Sequence, residues 1–298
     1  MNGSPYSVRL GHPQAAARTA RLKSAFVTAF LISQTAIFAH SLWLVGTIGP
    51  TLAAGGSALA SGVMLGFLAT VALSGRPRTS PNLPGVVSIS AAGLALSLAG
   101  SGSAGSRLPL LYAVVAFAGT LVYVFWYSRL GRSESSLLGV GQALPDFEVQ
   151  EADGTTLSAS TFRGRPTVLV FFRGNWCPLC MAQIREVAGH YRELERRGAQ
   201  VVLVSPQPHE KTSELAQRFD APMRFLVDPD NAAARRLGIV HQAGLPLGMQ
   251  ALGYDTDTVL PTVVITDAEG RILFSDQTDN YRVRPEPQTF LRILDAAR

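Results

Sequence analysis

The chain has 298 residues, 47% of them hydrophobic and 16% charged, with a formal net charge of +5. That length admits two domains, and the two halves differ chemically. Nine Lys/Arg and no acid precede Glu134, while all 21 acidic residues lie at or beyond it against 17 Lys/Arg, so +9 is followed by −4. The basic residues flank apolar stretches instead of clustering with aromatic readers on one surface, which excludes nucleic acid as a partner.

Residues 1–23 form a basic tail. Four segments without Asp, Glu, Lys or Arg follow, at about 24–48, 51–74, 86–104 and 108–128. About 20 apolar residues in a helix span the hydrocarbon core of a bilayer. An all-α unit of four transmembrane helices is therefore expected, and a soluble bundle is excluded because no polar face recurs at helical spacing. Gly49-Pro50 makes the first link a tight hairpin. "SGRPRTSPNLPG" and "GSGSAGSR" are turn-rich links, and the third segment is the shortest. The first apolar run is longer than a signal-peptide core and lacks a small-x-small cleavage site, which favours an uncleaved span.

Arg9, Arg18, Arg21 and Lys23 precede span one, Arg76 and Arg78 lie between spans two and three, and Arg129 and Arg132 follow span four. The opposite-side links hold only Arg107. Basic residues favour the cytoplasmic side, so both termini and the second half are expected there. If the third span does not cross, the second half moves to the other face. The spans carry no Cys and a single His, His40, so an intramembrane thiol relay or bis-His haem has no ligands within one chain. Small residues such as "GGSALASG" suit close helix packing, within the chain or against a membrane-protein partner. Anchoring or docking is the expected role of this half.

After a linker at 129–137 the texture changes to an α/β domain over 138–298. "ALPDFEVQEADGTTLSASTF" predicts two short strands about an Asp-Gly turn. "PTVLVFF" reads as a strand buried on both faces. "MAQIREVAGHYRELERR" reads as one amphipathic helix ended by Gly198. Then come strand "AQVVLVS", helix "KTSELAQRF", strand "MRFLVD", helix "DNAAARRLG", the hairpin "PTVVITDAEGRILF" and a closing helix "PQTFLRILDAA".

The only two cysteines, Cys177 and Cys180, sit in "RGNWCPLC" where the first long strand passes into the first long helix. A thiol at a helix N-terminus faces unpaired N–H groups and the positive end of the dipole, which favour thiolate. The spacing brings the two sulfurs within reach of a Cys177–Cys180 disulfide, with Cys177 the exposed nucleophile and Cys180 the resolving thiol. Pro178 stands at the first helical position, where its missing N–H loses no partner. Arg173 precedes the pair and adds positive charge. A zinc site needs about four ligands, and His12, His40, His190, His209 and His241 do not supply them at metal spacing. No metal or other cofactor is expected.

Residues from about 138 to 298 resemble the thioredoxin-fold redoxins, and within them the alkyl hydroperoxide reductase/thiol-specific antioxidant, or peroxiredoxin-like, family. The resemblance rests on "GQALPDFEV", "FFRGNWCPLC", "VVLVSPQP", "FLVDPDNAAARRLGI", "LPTVVITDAEGRILF" and "DNYRVRPEP", in family order. It implies a central mixed sheet flanked by helices. It implies that Cys177 and Cys180 are the redox-active pair, that Trp176 is the Trp before it, and that Pro261 is the cis-proline facing the cysteines; a plain strand-entry proline is the alternative. The peroxiredoxin motif Pro-x-x-x-Thr/Ser-x-x-Cys is broken, with Val170 at the proline position and Gly174 at the hydroxyl position. Arg282 or Arg284 would correspond to the family's peroxide-activating Arg, the alternative being a salt-bridged surface near Asp279 and Glu286. The buried acid of thioredoxins is replaced by Phe171, and Glu186 reads as a solvated helix residue. His241, in the irregular stretch before Pro261, reads as a surface residue of a loop that could cover the cysteines.

The function expected first is a membrane-anchored thiol–disulfide oxidoreductase using the C-x-x-C cycle. A thiol peroxidase acting on hydrogen or organic peroxides is the alternative within the same fold. A non-catalytic redox sensor or assembly factor docking a membrane partner is the alternative outside it. The first two need a cellular thiol reductant.

Overall fold

Hydropathy and glycine placement build the first half. The computed structural model describes residues 13–74, 77, 79–102 and 107–298, so Arg9, His12, Arg76 and Arg78 lie outside the described residues. Helix α1 (Pro13–Ile48) already contains Arg18, Arg21 and Lys23, so the basic tail from Pro13 onward is the first turns of this helix and not a separate segment. Gly49 at φ +90 turns the chain into α2 (Leu52–Ser74), the hairpin expected from Gly-Pro. Then follow α3 (Pro84–Gly100) and α4 (Leu108–Val122), which continues into a π-helical turn at Tyr123–Tyr127.

Three helices are long and apolar enough to cross a membrane: Ala17–Ile48, Leu52–Ser74 and Leu108–Tyr127. The third expected span, 86–104, is a helix of 17 residues ending at Gly100. At 1.5 Å per residue it is about 26 Å long, a little short of a 30 Å hydrocarbon core. It nevertheless packs along α2 in the opposite direction. Ser90 and Ser97 donate their hydroxyls to the carbonyls of Ala60 and Ala53, each at 3.0 Å. A Cβ on Gly93 or Gly56 would lie 2.5 Å from backbone atoms of the facing helix, so only glycine allows this approach. Large apolar side chains, among them Ile32, Trp43, Leu98 and Leu111, are more than half exposed on the outer faces.

In the second half, β1 (Glu148–Gln150) and β2 (Thr156–Ser158) form the first hairpin. β3 (Thr167–Phe171) is buried at every residue, as its unbroken apolar run requires. It leads through "FRGNWC" into α5 (Pro178–Gly189) and, past a break at His190, α6 (Tyr191–Arg196). One helix was expected here; Gly189 interrupts it. β4 (Gln200–Ser205), α7 (His209–Ala216), β5 (Arg224–Val227) and α8 (Ala232–Arg236) follow. A small pair, β6 (Val240–His241) with β7 (Thr258–Val259), brackets the long irregular connection. β8 (Thr262–Thr266), β9 (Ile272–Asp276) and α9 (Pro287–Ala296) end the chain.

The main sheet has the order β2-β1-β5-β4-β3-β8-β9, with β3, β4 and β5 parallel and β8 and β9 antiparallel. This is the thioredoxin-like mixed sheet. Val168 and Val170 face one core, which holds α5 and α9; Leu169 and Phe171 face the other, which holds α8.

The halves interlock through residues 279–284. Arg282 is fully buried and donates from Nε to Ser128 Oγ (2.8 Å), from Nη1 to the Ser80 carbonyl (3.0 Å) and from Nη2 to the Pro81 carbonyl (2.8 Å). The Tyr281 and Tyr123 hydroxyls meet at 2.5 Å. The backbone N–H of Leu130 donates to the Asp279 carbonyl at 2.7 Å. A buried guanidinium is tolerated only with its donors satisfied, so this segment fixes the domain against the helices. On the other side of the site, Ser24 and Thr28 of α1 donate their hydroxyls to the carbonyls of Leu245 and Leu247.

Candidate active site

The strand-to-helix junction places both cysteines. Cys177 is the N-cap of α5 with extended backbone (φ −90, ψ 109), Pro178 takes the first helical position, and the Cys180 N–H donates to Cys177 Sγ at 3.4 Å. Both thiols are free and buried. Cys177 is only 2% exposed, so the expected exposed nucleophile is corrected. The cover comes from the helical half and from the irregular connection, neither of which belongs to the redoxin sheet.

Arg173 is 4% exposed; it lies with its guanidinium 4.7 Å above the Trp176 ring and donates to the Gly244 carbonyl. Its Nε has no hydrogen-bond partner, and no carboxylate of the described residues pairs with it. Burial works against its charge, but the neighbouring Tyr127, Cys177, Cys180 and Tyr281 outweigh that and raise its pKa. Arg284, 6% exposed, reaches Cys180 Sγ from Nη2 at 3.9 Å. Of the two candidate arginines, Arg284 thus joins the cysteines and Arg282 serves the interface between the halves; neither forms a surface ion pair with Asp279.

This electrostatic setting splits the two thiols. The Cys180 hydrogen bond, followed by the charges of Arg173 and Arg284, lowers the Cys177 pKa to about 6 against the opposing effect of burial. Burial, and then the neighbouring Cys177, push the Cys180 thiol well above its usual value. One sulfur is therefore a thiolate near neutral pH while the other keeps its proton. That is the pairing a nucleophile and a resolving thiol need.

Gly174 has φ +143, and a Cβ there would lie 2.6 Å from Trp176 Nε1. The family's hydroxyl residue cannot be placed at this position without displacing the Trp that stacks on Arg173. Phe171 and Val170 are buried in β3, so neither an acid nor a proline stands there.

Pro261 is corrected to the alternative, a strand-entry proline with a trans bond. No cis peptide bond occurs among the described residues, and the Pro261 carbonyl accepts from Arg132 Nη1 at 3.0 Å. His241 is half-buried: burial, then Arg173, Lys23 and Arg132, lower its pKa to about 3, which keeps it neutral. It lines a separate cavity of about 530 Å³ together with Lys23 and Arg132. Glu186 lies two turns along α5 and is half-buried.

The functional residues that sequence reasoning missed are tyrosines. Tyr123 and Tyr127 from the π-helical turn and Tyr281 from the interlocking segment line the same pocket as Cys177, Arg173 and Trp176. A π-helical turn opens the helical ladder and often marks a functional position. The run "YVFWY" at the end of span four was the available signal. Among the described residues no group of three His, Cys, Asp or Glu could hold a metal ion.

Residues 140–275 match the AhpC/TSA family. A chloroplastic peroxiredoxin Q of Populus jackii is 31% identical over 99 residues, covering 33% of this chain and 46% of that protein. The peroxiredoxin Bcp of Bacillus subtilis is 25% identical over 134 residues, covering 45% and 82%. The chain spans about half the length of the peroxiredoxin Q proteins it matches. Among solved structures, the peroxidoxin BcpB of Mycobacterium tuberculosis superposes with a TM-score of 0.44 at 21% identity, covering 54% of this chain and 99% of that one. Residues 140–275 are a redoxin domain of the AhpC/TSA family, joined to a bundle of apolar helices that closes over its cysteines.

Proposed function

We propose that the chain is a membrane-anchored thiol peroxidase working through a Cys177–Cys180 dithiol. The observation that carries this reading is the setting of Cys177: a buried sulfur whose pKa is lowered to about 6, at the inner end of a pocket of about 370 Å³, beside the Arg173 guanidinium whose Nε has no acceptor. The Cys177 sulfur attacks the nearer oxygen of a hydroperoxide ROOH. An S–O bond forms, the O–O bond breaks, and the departing RO⁻ takes a proton and leaves as ROH. Cys177 is then a sulfenic acid. The Cys180 sulfur attacks it, the S–S bond forms, and the hydroxyl leaves as water with the Cys180 proton. A cellular thiol reductant returns the disulfide to the dithiol and is itself oxidised. Arg173 and Arg284 stabilise the negative charge that grows on the leaving oxygen.

Thiol–disulfide exchange as the main activity is the second reading. It is favoured by Gly174 and Val170, which stand where a peroxiredoxin has its hydroxyl and proline. The deciding experiment uses the full chain in nanodiscs, fully reduced, because residues 279–284 bind the two halves together. Formation of the Cys177–Cys180 disulfide is followed in single turnover with hydrogen or organic peroxide and, separately, with a small disulfide. Peroxide oxidation well above the rate of free cysteine is expected. Disulfide exchange faster than peroxide oxidation would install the second reading; slow reaction with every oxidant would leave the sensor role.

The three long apolar helices, with α3 beside them, support an integral membrane location. Lys23 donates to the Arg129 carbonyl, so the start of α1 and the end of α4 share one side with Arg18, Arg21 and Arg132. By the bias of basic residues this side is cytoplasmic. Cytoplasm-active reporters fused after Arg298 should be active, and an exported reporter at the same point inactive; the reverse pattern would overturn the orientation.

A further inference from the structure

The pocket in front of Cys177 has walls that a water-soluble peroxide does not need. Its volume is about 370 Å³, and one side of it is built by Val27, Leu31 and Ile32 of α1 and Leu68 of α2. Val27 and Leu31 stand one helical turn apart and so share a face. The adjoining wall is the turn Pro246–Met249, held to α1 by the hydrogen bond from Thr28 to the Leu247 carbonyl. Cys177, Arg173 and the three tyrosines supply the polar groups at its inner end.

Position along α1 gives the depth. Leu31 lies eight residues beyond Lys23, about 12 Å at the helical rise. A Lys at the end of an apolar run keeps its ammonium at the polar boundary. The pocket thus opens at the level of acyl chains. Ile32, 65% exposed, forms its rim on the outer face of the bundle. The irregular connection reaches the same level: the Leu247 carbonyl accepts from Thr28 at 2.9 Å, and Leu247 and Leu252 are 56% and 62% exposed. Two large apolar side chains at the tip of a polar domain suit a lipid environment better than water.

The inner end also lacks an occupant's partner. Arg173 Nε is buried and without an acceptor. We propose that this pocket is an acyl-chain site, and that the substrate of Cys177 is a lipid hydroperoxide drawn sideways from the bilayer past Ile32 at the rim, beyond the hydrogen bonds by which Ser24 and Thr28 hold residues 245–247 to α1. The inference rests on the peroxidase reading. The oxidised acyl chain lies along Val27, Leu31 and Leu68, its O–O group meets the Cys177 sulfur, and the lipid alcohol returns to the bilayer. The helical bundle is then part of the substrate site as well as an anchor.

The test uses the reduced full chain in phosphatidylcholine nanodiscs and reads Cys177–Cys180 disulfide formation in single turnover. The probes are phosphatidylcholine hydroperoxide in the disc and hydrogen peroxide in the buffer. The lipid hydroperoxide should react faster by about tenfold or more, the scale on which an apolar pocket discriminates. Leu31→Trp, which fills the pocket, should lower the ratio of the two rates by about tenfold. Leu247→Asp at the exposed rim should lower it in the same direction and keeps the test usable if the first variant does not fold. Leu96→Trp, on an exposed face of α3 outside the pocket, should leave the ratio as it is. Hydrogen peroxide as fast as the lipid hydroperoxide, or a ratio that neither pocket variant moves, would overturn the lipid site while leaving the peroxidase reading intact. If neither peroxide exceeds free cysteine, the peroxidase reading itself falls. A membrane quinone that oxidises the pair faster than either peroxide would overturn the proposed occupant.

Discussion

Cys177→Ser is expected to abolish peroxide consumption, with a loss of about 10³-fold or more, while Cys180→Ser should still consume one equivalent per chain and then stop. The asymmetry follows from the split between the two thiols. Only Cys177 is held as a thiolate near pH 7, so no other sulfur can replace it. Cys180 enters after the O–O bond has broken, so its removal leaves the first step in place. The product, a sulfenic acid with no resolving thiol, should be captured by a sulfenic-specific label or by an added thiol as a mixed disulfide. Serine is close in size to cysteine and both positions are buried, so neither change opens a cavity. Equal and mild effects from the two variants would remove the assignment of Cys177 as nucleophile.

How much of this site could be read in advance depends on whether the signal is local. The pair itself could be: a buried strand, a turn with glycine and proline, and an amphipathic helix place Cys177 at an N-cap by short-range rules alone. Apolar helices could be read likewise, because hydropathy is a property of a stretch, although the first begins at Pro13. The third apolar helix ends at Gly100, four residues before the expected limit. What long-range packing decides was hidden. Arg282 and Arg284 are two positions apart in an irregular segment, and nothing in that segment says which one turns to Ser128 and which to Cys180. Tyr123 and Tyr127 look like the aromatic belt of any span end; contact with Tyr281, 158 and 154 positions away, makes them part of the site. The burial of Cys177 was misjudged for the same reason. Part of the cover comes from the apolar helices, a half with no counterpart in the resemblance, and part from the 246–249 turn, whose path only the fold decides. His241 reads as a loop residue from local polarity, whereas pairing of β6 with β7 makes it a half-buried strand residue.

Arg173→Ala should raise the Cys177 pKa above about 6 and shift the pH dependence of the first step to higher pH by the same interval. The Cys180 hydrogen bond remains in this variant and so does Arg284, so the shift is partial. At the wild-type value the sulfur is mostly thiolate at pH 7, and its reactivity is lost as pH falls through about 6. In the variant the loss sets in earlier on the way down. Raising the pH should restore the thiolate but not the full rate, because the guanidinium also faces the leaving oxygen. Removing one such donor costs roughly 10²-fold in other preorganised sites. Arg173→Lys should recover much of the pKa, since it keeps the charge, and less of the rate, since an ammonium lacks the planar fork and the stacking on Trp176. Thiolate absorbance against pH gives the first quantity, and single-turnover oxidation at a pH above both pKa values gives the second. A thiolate titration that Arg173→Ala does not move would show that the Cys180 hydrogen bond and Arg284 suffice, and would leave Arg173 only its part in the chemistry of the leaving oxygen.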